Sequence, residues 1–363
     1  MAWEVFRPDA LTILKDERCK RSLSRYFGIL QGKRLSKFLI AKSLAAEFSG
    51  EESIEDLWEL HHKLTERYYE LERRIDEEER AVVGAPQPGR SYLDLKVKIG
   101  KRILASCHLC ERRDRVNRLR GEVGFCRCGS GIEVSSFFEH MGEEAELVPS
   151  GTIFTCGCTM RCIHCQNWTI SQHYEAGEIY SPEKLAWVIE RLKARGCRNA
   201  NLVGGDPTPW LKHWLETFTH VKVNIPVVWN SNSYYSEEAA QLLAGFADIY
   251  LLDFKYGNNE CAIRISSAPR YVEVCQRNHL YAKRYGELII RILLLPGHIE
   301  CCAKPILDWI AENLNPETRI NIMDQYRPEW RAFEASELRR RVTAKEYQTV
   351  IHYARDLGLT NLA

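Results

Sequence analysis

Residues 151–168 read GTIFTCGCTMRCIHCQNW. A short β-branched run, TIFTCG (152–157), leads into a loop carrying Cys158, Cys162 and Cys165 at C-x3-C-x2-C spacing. Three thiolates on one short loop can hold three irons of a cubane and leave the fourth without a protein ligand, open to a substrate or cofactor. The same thiols could instead serve a zinc ion, or an electron-transfer cluster completed by a distant cysteine. Cys156 lies only two residues before Cys158.

From this strand onward, short β-branched runs alternate with amphipathic helical patterns. NANLVGG (199–205), IPVVWNS (225–231), IYLLDFK (249–255), LIIRILLLPG (288–297) and RINIMDQY (319–326) are the further strands. Helices are expected from Ser181 with Pro182 in the first turn, from Glu237, from Pro305, and from about Thr343 to Asp356. Six such units predict an α/β fold over residues 151–363, either a partial (β/α)6 barrel or an open parallel sheet. In both, polar residues at the C-terminal strand ends form the site.

Upstream, residues 1–83 read as an all-helical extension. Ile54, Leu57, His61, Leu64, Tyr68, Leu71 and Ile75 recur at spacings of three and four, an apolar seam broken by one histidine. Ser53 and Asp56 form a capping box at its start. The earlier stretch carries Lys15, Arg18, Lys20, Arg21, Arg25, Lys33, Arg34 and Lys37. Acidic and apolar residues are interleaved among them, so a solvated helix face is favoured over a nucleic-acid arm. GAPQPG (84–89) reads as a linker opening a cysteine-rich segment that runs to residue 150.

Lysine plus arginine (50) nearly cancels aspartate plus glutamate (49), so no global field recruits nucleic acid or a membrane. No apolar run approaches the ~20 residues needed to span a bilayer, and the N-terminus lacks a signal-peptide pattern. A soluble, cytoplasmic protein is expected. Eight of the fourteen cysteines fall between Cys107 and Cys165. In a reducing compartment that clustering reads as metal ligation.

The segment resembles the signature of the radical S-adenosylmethionine (radical SAM) superfamily, in which the amino and carboxylate groups of S-adenosylmethionine chelate the open iron of a [4Fe-4S] cluster. GCTMRCIHCQNW is similar to the pyruvate formate-lyase activating enzymes, and closer to their activating-enzyme homologue branch. CHLC, RVNR, GEVGFC, HMGEEAEL, VGGDPTP, VWNSNSYY, IYLLDFKY, RILLLPGH and NIMDQYRP carry the resemblance in order, over about residues 105–360. The resemblance implies metal ligands Cys158, Cys162 and Cys165. It also implies a glycine-rich contact to the methionine amino group at Gly204 and Gly205, followed here by Asp206 where the family has Glu. His164 takes the aromatic slot near the adenine. Asn230 and Asn232, then Asp253, stand where the activating enzymes place a cofactor and monovalent-cation environment; Asn230 replaces a carboxylate there.

Asp253 also reads as a structural acid paired with Lys255. Arg291, inside an apolar strand, requires a carboxylate, which the cofactor, Asp253 or a structural acid can supply. His298, Asp324, Gln325 and Tyr326 are the candidates to face a substrate as catalytic groups, with core hydrogen bonding as the alternative. Cys107, Cys110, Cys126 and Cys128 are expected to hold a second metal, zinc or iron–sulfur, with Cys128 replacing the cysteine that the branch has at Asp114. Cys301 and Cys302 read as site-lining thiols or core; Cys19, Cys197, Cys261 and Cys275 read as buried apolar residues.

The expected activity is that of an anaerobic oxidoreductase. A low-potential donor, ferredoxin or flavodoxin, reduces the cluster, and S-adenosylmethionine is cleaved to a 5′-deoxyadenosyl radical that takes hydrogen from a substrate. In the resembled family that substrate is a glycine of a partner protein; another peptide or a small molecule is the alternative. The contrasting expectation is an iron–sulfur or zinc interaction protein without turnover.

Overall fold

A computed structural model describes residues 3–77, 88–173, 175 and 177–363. Eight strands form one sheet: β1 (Glu133–His140), β2 (Ser150–Thr155), β3 (Glu178–Ile179), β4 (Asn199–Gly204), β5 (Val227–Ser231), β6 (Ile249–Asp253), β7 (Glu287–Leu293) and β8 (Arg319–Met323). Their order is β3-β1-β2-β4-β5-β6-β7-β8. From β2 to β8 every pairing is parallel, and these are the six strands expected from the sequence. β1 pairs antiparallel with both β2 and β3. Val227, Val228, Trp229, Ile249, Leu251, Ile289 and Ile290 are fully buried, which explains why these strands read as continuous apolar runs and not as alternations.

Helices start where their caps do. Ser181, Ser236 and Thr343 each accept a hydrogen bond from the backbone N–H three residues on, opening Pro182–Ala194, Glu237–Leu243 and Ala344–Asp356. The segment between the helical extension and β2 is more than a connection. It holds the helix Tyr92–Leu104, closed by a Ser91/Asp94 capping box, and then β1, which joins the sheet. Only Pro88 and Gly89 of GAPQPG lie inside the described residues.

The seam found in the sequence faces inward on the helix Ile54–Glu77, burying Leu57, His61, Leu64, Tyr68 and Ile75. Asp56 N–H donates to Ser53 Oγ at 3.1 Å, and Ser53 N–H donates back to the Asp56 carboxylate at 3.3 Å. His61 breaks the seam because it meets another polar group. Its Nε2 lies 2.9 Å from Lys96 Nζ and 3.3 Å from the Tyr92 hydroxyl. Lys96 is itself fully buried, 4.2 Å above the Tyr92 ring. Burial pulls the Lys96 ammonium well below the ordinary lysine range.

The N-terminal helices close the end of the sheet where the parallel strands begin. Arg25 Nη1 reaches Asp248 at 3.0 Å, and its Nε reaches Asp76 at 3.1 Å and Glu72 at 3.3 Å. The Arg25 and Tyr26 backbone N–H groups donate to Glu287 at 2.6 and 2.8 Å. Asp248, just before β6, also accepts from Lys37 N–H at 2.9 Å and Val227 N–H at 2.8 Å. Cys19, Leu23, Tyr26 and Phe27 pack there against Val228, Ile249, Leu251 and Ile289. Two of the basic residues read as a solvated face, Arg25 and Lys37, are therefore buried among acids.

Arg25→Ala leaves Asp248 buried without its guanidinium partner, while Glu72 keeps Lys37 Nζ at 2.7 Å, and is expected to cost about 3–5 kcal/mol, read from the urea unfolding midpoint. Lys96 supplies a pH test. Its folded value lies below the unfolded value of about 10.4, so the unfolded chain binds the extra proton and wild-type stability rises with pH in that window. Lys96→Met lacks this dependence. Its stability advantage over wild type is expected to narrow by up to about 1.4 kcal/mol per pH unit between pH 7 and 10, measured by denaturant unfolding.

Candidate active site

β2 ends at Thr155, and the chain then enters the cysteine loop. Neighbouring segments pin that loop on several sides. Arg161 N–H and Ile163 N–H donate to the Ser266 and Ile265 carbonyls at 2.9 and 3.0 Å. Gln172 Nε2 donates to the Cys162 carbonyl at 3.0 Å. The cysteine-rich segment props the outer side: Arg112 Nε donates to the Thr159 carbonyl at 3.1 Å, Arg161 donates to the Phe125 carbonyl, and both guanidinium groups lie over the Phe125 ring.

Cys158, Cys162 and Cys165 face one cavity of about 210 Å³ at the C-terminal strand ends. His164, Gly204, Gly205, Asn230, Asn232, Asp253, Lys255, Arg291 and Tyr326 line it too. Three donors point at the thiols. Met160 N–H and Asn232 Nδ2 approach Cys158 Sγ at 3.4 and 3.5 Å, and the Ser171 hydroxyl lies 3.3 Å from Cys165 Sγ. Cys156 is buried, and its carbonyl accepts from Trp210 Nε1 at 2.8 Å; it does not line the cavity. Lys255 Nζ pairs with Asp253 at 2.7 Å. Burial works against the Lys255 ammonium, but Asp253 and the thiols of Cys162 and Cys165 outweigh it and hold the pKa above its ordinary value. His164 is the reverse case. Burial, then Lys255, pushes its imidazole down to about 3, so it is neutral, and its Nε2 sits 3.3 Å from the Tyr256 hydroxyl.

The geometry gives several of these residues structural contacts. Gly204 (φ 140°) and Gly205 are demanded by packing between strands, because a β-carbon would collide with the Thr155 and Gly157 carbonyl oxygens respectively. Asp206 does not line the cavity. Its buried carboxylate accepts from Thr208 N–H, Ser231 Oγ and Asn232 N–H, each at 2.9 Å, and so clamps the end of β5 to the end of β4. Of the three partners open to Arg291, the structural acid is the one it meets, while the residue still lines the cavity. It meets Glu144 through Nε and Nη2 at 2.6 Å, meets Glu143, and donates to Asn230 Oδ1 at 3.2 Å. Asn201 on β4 donates to Glu143 at 3.0 Å and Asn321 on β8 donates to Glu144 at 2.8 Å. These two acids, between β1 and β2, hold Arg291, which lines the site; their doublet in HMGEEAEL was the signal in the sequence.

Of the catalytic candidates, Asp324 and Gln325 are exposed and outside the cavity. Tyr326 lines it with its ring, 5.8 Å from His164, while its hydroxyl donates to the Leu338 carbonyl at 2.7 Å. His298 sits in an adjoining small cavity. Cys107, Cys110, Cys126 and Cys128 are all buried, with Arg118 among them: its Nη1 is 4.0 Å from Cys107 Sγ. No three of the four bring their sulfurs within 4.8 Å of one another, wider than the ~3.8 Å between thiolates on one tetrahedral ion. Asp114 accepts from Phe125 N–H at 2.8 Å and shapes the turn there.

A family model described as the radical SAM superfamily matches residues 152–310. Those residues form a radical SAM superfamily domain. The superfamily implies a [4Fe-4S] cluster and S-adenosylmethionine, and an enzyme of the radical SAM class. The donor set fits: three thiols share one cavity, and hydrogen-bond partners approach two of the sulfurs, Cys158 and Cys165. The uncharacterized protein MJ0674 of Methanocaldococcus jannaschii is 42% identical over 344 residues, 93% of this chain and 98% of the relative. MJ0808 of the same organism is 24% identical over 62% of this chain and 71% of its own length. Among solved structures, SuiB of Streptococcus suis superposes with a TM-score of 0.40 at 12% identity, over 58% of this chain. The chain spans less than half of SuiB, 46% of its length. No helix among the described residues is long and apolar enough to cross a membrane.

Arg291→Met is expected to cost about 3–5 kcal/mol in chemical denaturation, because Glu143 and Glu144 would remain buried side by side without a cation.

Proposed function

We propose that Cys158, Cys162 and Cys165 hold the [4Fe-4S] cluster and that S-adenosylmethionine occupies the cavity beside it. The observation that carries this reading is the convergence of these three thiols with His164, Asn230, Asp253 and Lys255 on one cavity. When bound, the cofactors supply reductive cleavage of S-adenosylmethionine to methionine and a 5′-deoxyadenosyl radical that takes hydrogen from a substrate. The chain's own residues prepare the place. Lys255 sets a fixed cation against the thiolates, and the N–H donors on Cys158 stabilise its negative charge. The neutral His164 ring and the Tyr326 ring offer apolar faces to an adenine, and the polar end of β5 offers Asn230.

The six parallel strands are read as a partial barrel. Asn201 on β4 and Asn321 on β8 reach adjacent carboxylates, although four strand spacings would hold them about 19 Å apart in a flat sheet. We place the chain with the activating-enzyme homologues, and take a glycyl residue of a partner protein as the substrate and a ferredoxin or flavodoxin as donor, on the ordered motif blocks. The helices of residues 3–77 sit at the opposite end of the strands, so they are read as a structural closure.

After anaerobic reconstitution with iron and sulfide, dithionite plus S-adenosylmethionine is expected to give 5′-deoxyadenosine and methionine. Cys162→Ala is expected to lose the cluster absorbance and to drop 5′-deoxyadenosine to background with its circular dichroism unchanged. A fully loaded wild-type protein that makes none would refute the proposal.

A further inference from the structure

One group of three or more His, Cys, Asp or Glu ligand atoms converges within 4.8 Å among the described residues: Cys261, His298, Cys301 and Cys302. His298, Cys301 and Cys302 lie within five residues of one another, and Cys261 precedes His298 by 37. Cys261 lies in the first turn of the helix Asn259–Ser266 after β6, and His298 in the loop after β7. Cys301 and Cys302 belong to a π-helical turn, Ile299–Ala303, at the start of the helix Lys304–Asn313. Such wide turns recur at functional positions.

The distances match one ion. Cys261 Sγ is 4.0 Å from Cys301 Sγ, and Cys301 Sγ is 3.9 Å from Cys302 Sγ. His298 Nδ1 is 3.5 Å from Cys261 Sγ and 3.3 Å from Cys301 Sγ. A tetrahedral zinc with bonds of about 2.3 Å to sulfur and 2.0–2.1 Å to nitrogen places sulfurs about 3.8 Å apart, and sulfur and nitrogen about 3.5 Å apart. The surroundings match as well. The other ring nitrogen of His298, Nε2, faces Glu337 at 3.6 Å, and Arg264 holds that carboxylate at 2.6 Å. A carboxylate behind a ligating imidazole fixes its tautomer and orientation. Asn258 Nδ2 approaches Cys302 Sγ at 3.8 Å and donates to the Cys301 carbonyl at 2.8 Å, while its Oδ1 accepts from Cys261 N–H at 2.8 Å.

We infer that Cys261, His298, Cys301 and Cys302 form a structural Cys3His site for zinc. Four protein ligands leave no open position, so the ion ties the loops after β6 and β7 together and does not bind substrate. Its place gives that tie a use. Lys255 and Leu293 line both the small cavity beside His298 and Cys302 and the larger cavity facing the cysteine triad. The zinc holds the wall from which Lys255 reaches the thiols of the triad.

The test is metal content of the full-length, cluster-loaded protein from zinc-supplemented growth, measured by inductively coupled plasma mass spectrometry. The Cys261→Ser/Cys301→Ser variant is expected to carry one zinc per chain fewer than wild type, with iron unchanged. Equal zinc in both, a wild type without zinc, or iron in place of zinc on these ligands overturns the inference. So does a Cys261–Cys301 disulfide in the purified wild type. Should the double variant fail to fold, Glu337→Gln decides: chelator competition is expected to show zinc bound 10- to 100-fold more weakly, and a curve superimposed on wild type rejects the site. Neither readout depends on turnover, so both stand apart from the assignment of the cysteine triad.

Discussion

A guanidinium inside an apolar sheet must be neutralised where it stands, and the architecture around Arg291 answers that requirement. The residue is flanked by Ile290 and Ile292 in β7, opposite Asp253 in β6 and Asn321 in β8. Its partners come from outside the parallel set, from two adjacent glutamates before β2. Because those carboxylates also take the amides of Asn201 and Asn321, one polar layer joins β4, β7 and β8. Buried charge networks of this kind favour one arrangement, since a charge left without its partner is costly in low dielectric; Asn201 Oδ1 is the buried atom of this layer without a hydrogen-bond partner. The cofactor cavity rests on that layer, and its shape follows from it.

The two ends of the strands are thus built differently. At the beginning of β5, β6 and β7, Asp248 and Glu287 accept backbone N–H groups and the Arg25 guanidinium, and the N-terminal helices seal what is left. At the opposite end the polar groups are turned toward a cavity, and close contacts such as those at Gly204 and Gly205 keep neighbouring strand ends in register. Rigidity concentrates at the closed end; chemistry is placed at the open one, as in other parallel α/β folds.

Much of this was legible from local pattern. Strand positions, helix starts and the buried seam follow from periodicity and caps within a dozen residues, and the triad from its spacing. Contacts between distant positions were not legible. Arg291 announced that it needed an acid, but nothing local separates Glu143 and Glu144 from Asp253 as the one it meets. Asp206 occupies a family position for cofactor contact, yet its carboxylate turns to Ser231 and Asn232, a choice set by how β4 and β5 pack. The group of Cys261 with His298, Cys301 and Cys302 joins a helix after β6 to a segment 37 residues further on. Spacing detects ligands carried on one loop; it is blind to those assembled by topology.

The closure by the N-terminal helices has a consequence in time. Arg25 and Tyr26 leave the ribosome early, but Glu287 follows them by more than 260 residues. At about 5–20 residues per second, that interval is roughly 10–50 s. Leu23, Tyr26 and Phe27 pack on Val228, Ile249, Leu251 and Ile289, so their cover is incomplete until β7 emerges. The first part of the chain to be made is therefore among the last to find its place, and its apolar face must be shielded or left exposed until the sheet is nearly whole.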